Sequence, residues 1–241
     1  MRTLADLDVA GTAAAGSAFA EKLGLWVSFT DAIALSAVHS QPTNRAQIPL
    51  APQRLANGAD IGGEVASTRA GLVHLITQRG ALAGGKAHVK LPEPPDTAPV
   101  GPAAYEPYRR FYMAHQREME ATLSPLRAKV RTVLAEINPA LKQLAALDAT
   151  LDTILCEREA KLLAKVASLL QKRFVHLLRI HQQLVQGDEQ ADKPAPWMKD
   201  GAWLARFCDE LQTVLLAELD LRLEPTLGLL EAYENETRTS I

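Results

Sequence analysis

The chain has 241 residues, of which 47% are hydrophobic and 5% aromatic, and its formal net charge is −2. A chain of this length and composition can bury the core of one domain or of two small ones, which excludes disorder throughout. The small net charge provides no whole-molecule field that would attract nucleic acid or anionic lipid. Because alanine and leucine are abundant and aromatic residues are scarce, we expect helices rather than sheets.

The N-terminal third predicts a small helical unit, residues 1–83. Helical periodicity is found in three stretches, residues 3–10, 17–39 and 61–83. Thr30 and Asp31 can restart the second of these helices, because threonine caps a helix and an acid suits its first turn. Residues 40–60 contain three prolines and a glycine, and we predict a loop there. Charges within the first 40 residues argue against a secretion signal or membrane insertion, so we expect a cytoplasmic protein.

Five prolines in residues 84–104 predict a stiff, extended linker, because proline fixes φ and removes a backbone donor. We therefore predict three parts: an N-terminal helical unit, 1–83, a Pro-rich linker, 84–104, and a C-terminal helical bundle, 105–241.

Gly80, Gly85 and Lys86 reproduce the GxxxxGK spacing of a phosphate-binding loop. Such a loop needs a preceding strand, a serine or threonine after the lysine, and a following helix whose N-terminus faces the phosphates. Ala87 follows the lysine, helical periodicity precedes it and prolines come after it. We interpret this segment as the end of a helix entering the linker.

The C-terminal part predicts long helices. The pattern places them at residues 105–123, 124–137, 139–185 and 201–223, and Pro225 breaks or kinks the last helix before residues 227–233. Residues 139–185 contain no glycine or proline after Pro139, and leucines line one face, which predicts a helix on the order of 70 Å long. We predict an all-α fold: an elongated antiparallel helical bundle, or coiled coil, with one very long helix and the smaller N-terminal unit.

A basic stripe follows the long helix. Arg158, Lys165, Lys172 and Arg179 recur every seven residues, and Lys161 lies on the same side. Such a stripe can follow phosphates, but it is more often a solvated flank or pairs with acids on a neighbouring helix. Because no aromatic residues are interleaved and the chain is slightly acidic, we do not expect nucleic acid to be the main partner.

Charges also interrupt the apolar stripes, at Asp148, Glu159, Arg173 and Glu218. Buried charges must be paired, so these residues lie either at the rim of the core or in register-setting pairs. The net charge is +5 for residues 105–182 and −7 for residues 183–241. This asymmetry favours docking of the long helix against the last helix, and we predict an inter-helix charge pair of Arg173 with Glu218.

No residues have the spacing of a catalytic or metal site. His115 and Glu118 lie three residues apart, but the order is the reverse of a di-iron ligand unit and no second copy exists. Cys156 and Cys208 lie within helical patterns, and we interpret both as buried, reduced thiols. We therefore expect no cofactor and no metal.

Several segments resemble a proteobacterial family of unknown function that is typified in Burkholderia-like bacteria. The residues that carry the resemblance are 19–26 (FAEKLGLW), 30–33 (TDAI), 108–110 (YRR), 119–120 (ME), 125–127 (PLR) and 214–225 (VLLAELDLRLEP). The resemblance brings no activity, cofactor or catalytic residue. Genes of this family often lie beside genes for OmpA-like and other membrane-associated proteins, which implies at most a cytoplasmic partner of an envelope-associated complex.

The long helix offers more apolar and charged surface than folding requires, which favours contact with a partner helix. We therefore predict a non-enzymatic protein-protein interaction or scaffold protein that binds a protein partner or associates with itself. The alternatives are an enzyme with an unrecognised helical active site and a weak nucleic-acid binder that uses the basic stripe.

Overall fold

The computed structural model describes residues 26–40, 52–77, 90–93, 101–185, 195–199 and 201–239. Within these ranges 91% of the residues are helical and none forms a strand, which confirms the predicted all-α fold for this part of the chain. The α-helices are α1 (Phe29–His39), α2 (Pro52–Thr77), α3 (Glu106–Ala135), α4 (Pro139–Leu184) and α5 (Trp203–Thr239), and short 3-10 helices cover Pro102–Tyr105 and Ala195–Met198.

Side-chain caps determine where two of the helices begin. The Ser28 hydroxyl accepts the Asp31 N–H at 3.2 Å, and the Ser28 N–H donates to the Asp31 carboxylate at 2.8 Å. This capping box starts α1 two residues before the predicted restart at Thr30. The Asn138 amide oxygen accepts the Leu141 N–H at 2.8 Å, so α4 begins where the sequence predicted, with proline at its first position.

Prolines that were predicted to interrupt helices lie inside them. Pro125 is within α3, so the predicted helix start at residue 124 is wrong. Pro225 is within α5, so of the two predicted alternatives at this residue, a break or a kink, the break is wrong. Each proline removes one backbone hydrogen bond. Each proline is flanked by buried leucines, Leu123 and Leu126 in α3 and Leu223 and Leu229 in α5. Packing of these leucines keeps each helix continuous despite the lost hydrogen bond.

Two segments that were predicted as loop or linker contain helical residues. Helix α2 begins at Pro52, inside the predicted loop 40–60, because proline is favourable at the first helical position. Within the predicted linker, Leu91 is buried and a 3-10 helix follows Gly101, whose φ of 68° suits glycine.

The chain divides into two compact units. The described residues of unit 1 lie within Leu72–Met119 and Leu162–Leu219, and those of unit 2 lie within Ala13–Gly71, Glu120–Lys161 and Asp220–Ile241. Helices α3, α4 and α5 each contribute residues to both units. The division therefore does not coincide with the predicted boundary at residues 84–104, because each unit combines residues from before and after it.

Unit 1 has an aromatic core. The rings of Tyr108, Phe174, Phe207 and Trp203 form a chain of contacts with centroids 5.1 to 5.5 Å apart, mostly edge to face. Edge-to-face packing adds roughly 0.5 to 1.5 kcal/mol per pair to the effect of burial. The scarce aromatic residues are thus concentrated where α3, α4 and α5 contribute to this unit.

Unit 2 has an aliphatic core. Its fully buried side chains come from α2, α3 and α5, and they include Ile61, Val65, Val130, Leu134 and Leu223. In this unit α3 and α4 are joined by a turn of three residues, 136–138, which makes them neighbouring antiparallel helices.

Candidate functional site

Arg173, in unit 1, is 5% exposed and forms a bidentate ion pair. Its guanidinium donates from Nε and Nη2 to the two carboxylate oxygens of Glu210, at 2.8 and 2.6 Å. Arg206 also donates to this carboxylate, at 3.1 Å. Burial acts to raise the pKa of Glu210, but the hydrogen bonds from Arg173 and Arg206 outweigh it and hold the pKa below its usual value.

Glu218, the predicted partner of Arg173, has a different environment in unit 1. It is 4% exposed, and it accepts the Tyr112 hydroxyl at 2.5 Å and the Gln116 amide at 3.0 Å. Glu210 and Glu218 are eight residues apart on α5, or about 12 Å along the axis. The predicted Arg173–Glu218 pair is therefore corrected to Arg173–Glu210. Both predicted residues are buried charges, but helical spacing could not say which acid lies opposite Arg173.

The sequence contains a signal for Glu210 that the predicted pair does not use. Glu210 lies at the edge of the apolar stripe of α5, four residues after Arg206, where an intrahelical ion pair is ordinary. The prediction considered only charges inside the stripe. A residue at the stripe edge can still reach a neighbouring helix, because the carboxylate extends several bonds from the backbone.

The predicted basic stripe of α4 is divided between the units. Lys165, Lys172 and Arg179 lie in unit 1 and are exposed. Arg158 and Lys161 lie in unit 2, where the Lys161 amine donates to Glu157 at 3.0 Å. Among the described residues, no acid forms an ion pair with the three exposed cations of unit 1.

A four-charge network in unit 2 joins α3 to α4. Arg127 and Arg131 on α3 each bind both Asp148 and Asp152 on α4, at 2.5 to 3.0 Å. The side chains of Arg127, Arg131 and Asp148 are largely buried. Asp148 was identified from the sequence as a charge inside the apolar stripe, and its partners were missed. The available signal was the matched spacing: Arg127 and Arg131 are four residues apart on α3, and Asp148 and Asp152 are four residues apart on α4.

Glu159, the other predicted charge inside the stripe, lies half-buried in unit 2. Burial raises the pKa of its carboxyl, and the nearby Arg222 guanidinium only partly opposes this. Arg222 itself forms an ion pair with Glu120 at 2.5 Å. Glu159 is therefore a rim charge held in an unfavourable environment.

The remaining polar groups that were considered for chemistry have structural surroundings. The His115 ring packs on Phe111, with centroids 4.5 Å apart, while Glu118 is exposed. Burial raises the pKa values of the Tyr105 and Tyr108 hydroxyls well above their usual value, so both are neutral at physiological pH. Within the described ranges, no cluster of three or more His, Cys, Asp or Glu residues has the arrangement of a metal site.

The two cysteines differ in exposure. Cys208 is buried as predicted, but Cys156 is exposed, so that part of the prediction is wrong. Neither forms a disulfide. The phosphate-loop-like segment with Gly80, Gly85 and Lys86 lies outside the described residues. In the part of the chain that the structure describes, no helix is both long and apolar enough to span a bilayer.

Helix α1, in unit 2, has two distinct faces. Its inner face consists of Asp31, Leu35 and Val38, which are half-buried. Its outer face is apolar and exposed: Phe29 and Ile33, one turn apart, are 83% and 54% exposed, and Ala32, Ser36 and Ala37 lie beside them. No residue of α1 is fully buried, although most of the helix is apolar.

Polar contacts hold α1 in place. The Gln143 amide of α4 donates to the carbonyl oxygens of Val38 and His39, at 3.3 and 2.6 Å. At the other end, hydrogen bonds from Ser28 lower the pKa of Asp31, which keeps the capping carboxylate charged. The C-terminal end of α1 is thus tied to α4, and the capping box stabilises its first turn.

A family model described as "Protein of unknown function (DUF3348)" matches residues 1–235. The match confirms the predicted resemblance to a family of unknown function, while the bacterial group and gene neighbourhood that the resemblance implied stay predictions. No curated protein and no solved structure matches the chain.

Proposed function

We propose that this chain, which belongs to the DUF3348 family of unknown function, is a non-enzymatic interaction protein that binds another protein through the outer face of α1. The observation that carries the proposal is the exposed apolar stripe of Phe29, Ile33 and Ala37. Large exposed apolar side chains grouped on one helix face are typical of a protein contact.

Covering this face would contribute favourably to the binding of a partner. Fully burying a phenylalanine or isoleucine side chain contributes roughly 1.5 to 3 kcal/mol. Because Phe29 is mostly exposed and Ile33 about half exposed, covering both contributes on the order of 3 kcal/mol. Helix α1 is already formed and fixed to α4 through Gln143, so little ordering entropy opposes binding. A partner helix with an apolar stripe fits this surface.

The buried ionisable groups support a non-enzymatic role. Arg173 is bound by Glu210, and Glu218 is bound by Tyr112 and Gln116. These contacts join different helices of unit 1 and give each buried charge a structural partner. We propose that they fix the packing of the helices within unit 1. The cytoplasm is the compartment we propose, and a protein of an envelope-associated complex is the first partner to test.

The proposal is tested by capture of partners with matched variants. The full-length protein, Phe29→Glu/Ile33→Glu and the control Ala66→Glu are used as baits in cells that express the protein naturally. Ala66 is exposed on α2, so the control adds a charge without touching α1. We expect the same helical circular dichroism for all three, and a partner that the wild type and the control retain but the α1 variant loses.

Equal partner sets for the wild type and the α1 variant would refute a role for this face. Turnover of a small molecule by the purified protein would refute the non-enzymatic role.

A further inference from the structure

We propose that a basic face of α4 in one molecule docks on an acidic face of α5 in a second copy of the chain. The basic face consists of Lys165, Lys172 and Arg179, with Ile180 and Leu184 beside them. This contact is separate from the outer face of α1 and gives the interaction protein a means of assembling with itself.

The basic face is a surface of one charge sign with an apolar edge. Residues 160–185 contain five lysines and arginines, two histidines and no acid. Lys165, Lys172 and Arg179 point to one side of α4, and no acid among the described residues pairs with them. Ile180 and Leu184 flank them on one side, 41% and 80% exposed. Cations beside exposed apolar side chains fit an acidic helix that also carries apolar residues.

Helix α5 carries an acidic face that also contains exposed apolar residues. This face consists of Glu224 and Glu231, with Leu221 and Leu227 on either side and Gly228 between them, and all five residues are exposed. No cation among the described residues forms an ion pair with either glutamate. A Cβ at Gly228 would meet nothing within 4 Å, so another helix can approach the backbone closely at this point.

The two faces match in spacing. Lys172 and Arg179 are seven residues apart, as are Glu224 and Glu231, and each interval spans about 10.5 Å of helix. Antiparallel docking that places Arg179 opposite Glu224 therefore also places Lys172 opposite Glu231.

The same register brings the apolar residues together. Leu221 comes to lie between Ile180 and Leu184, because all three are on the same flank of their helices in an antiparallel pair. A parallel pair places Leu184 and Leu221 on opposite flanks of the interface and loses this apolar contact. Lys165 comes to lie opposite Arg238, whose charge is already paired with Glu234 at 3.0 Å. The two opposite-charge contacts of Lys172 and Arg179, together with the apolar flank, thus favour the antiparallel orientation, with a second copy as the occupant.

The contact has a defined consequence for assembly. Each molecule carries one basic and one acidic face, and a pair joined by a single such contact leaves one face of each kind available for a further copy. We expect oligomers that grow with protein concentration as rings or chains, and that dissociate at high salt because exposed charges are screened.

Charge reversal with complementation tests the proposal in the full-length protein. The first variant is Lys172→Glu/Arg179→Glu, and the second is Glu224→Lys/Glu231→Lys. All four side chains are exposed, so both variants should keep the wild-type melting temperature, which is measured first. Sedimentation velocity should show self-association of the wild type, weakened about tenfold or more in each variant alone. Mixing the two variants should restore association, because the first keeps its acidic face and the second keeps its basic face.

Two further variants isolate the surface. Arg117→Glu/Lys142→Glu reverses two exposed cations outside the basic face and should self-associate like the wild type. Phe29→Glu/Ile33→Glu should also self-associate like the wild type, since α1 is not part of this contact. If this α1 variant alone loses self-association, the inference is overturned while the α1 proposal stands.

Several other outcomes overturn the inference. These are a monomeric wild type at all concentrations, variants that associate like the wild type, and a mixture that stays monomeric. A wild type that is monomeric but is retained on DNA or on anionic vesicles through Lys172 and Arg179 would instead assign the basic face to nucleic acid or to lipid.

Discussion

Removing either member of the Arg173–Glu210 pair should destabilise the protein strongly, because the other charge is left largely buried. The side chains of Arg173 and Glu210 are 6% and 17% exposed. Breaking a buried pair costs about 3 to 5 kcal/mol. The cost of Arg173→Met should lie at or below the lower end of this range, because Glu210 still pairs with Arg206 and is partly exposed to solvent. Glu210→Leu leaves the more deeply buried arginine without its acid and should cost about 4 kcal/mol.

The double variant should recover much of this loss, because replacing both charges with apolar residues of similar volume is often nearly neutral. We therefore expect a coupling energy of at least about 1.5 kcal/mol. In a chain of this size, 1 kcal/mol shifts the melting temperature by roughly 2 to 4 °C, so a 3 kcal/mol loss is about 6 to 12 °C. Calorimetric melts of the four proteins of the cycle provide the measurement.

A second cycle, with Arg173→Met and Glu218→Leu, serves as the control. Glu218 is also buried and sits on the same helix, but its carboxylate is bound by Tyr112 and Gln116. Its coupling to Arg173 should stay below about 0.5 kcal/mol. Coupling of that small size between Arg173 and Glu210, or a larger value for Arg173 with Glu218, would refute the reasoning.

Three further predictions follow from individual residues. Burial raises the pKa of Glu159, so its contribution to stability is present at low pH and is lost as the pH rises through the folded pKa. Glu159→Gln should therefore raise the melting temperature near pH 7 and leave it unchanged at about pH 3, and an effect of equal size at both pH values would contradict this. Gly228→Ala should stabilise the protein by about 0.5 to 1 kcal/mol in urea unfolding, because the site is helical and has open space for a Cβ, and a loss of stability would show a hidden contact. A thiol reagent should modify exposed Cys156 in the native protein and buried Cys208 only after denaturation, whereas equal rates would mean that the assigned burial is incorrect.

The sequence by itself determined the all-α class and the extent of the longest helix. Helix α4 begins after Asn138 and ends at Leu184, close to the predicted limits, because capping and apolar periodicity act within a few turns of one helix. The burial of Arg173 and Glu218 could also be predicted, since both interrupt an apolar stripe.

Only the tertiary structure decided which residues meet. Pro125 and Pro225 stay inside continuous helices because buried leucines on both sides outweigh a local signal to stop. Arg173 pairs with Glu210 rather than Glu218 because the register between α4 and α5 is set by packing of the aromatic core. Helical spacing places Phe29 and Ile33 on one face of α1, but their exposure could not be predicted from that spacing. Periodicity describes one helix, whereas pairing and exposure depend on contacts between residues far apart in the chain.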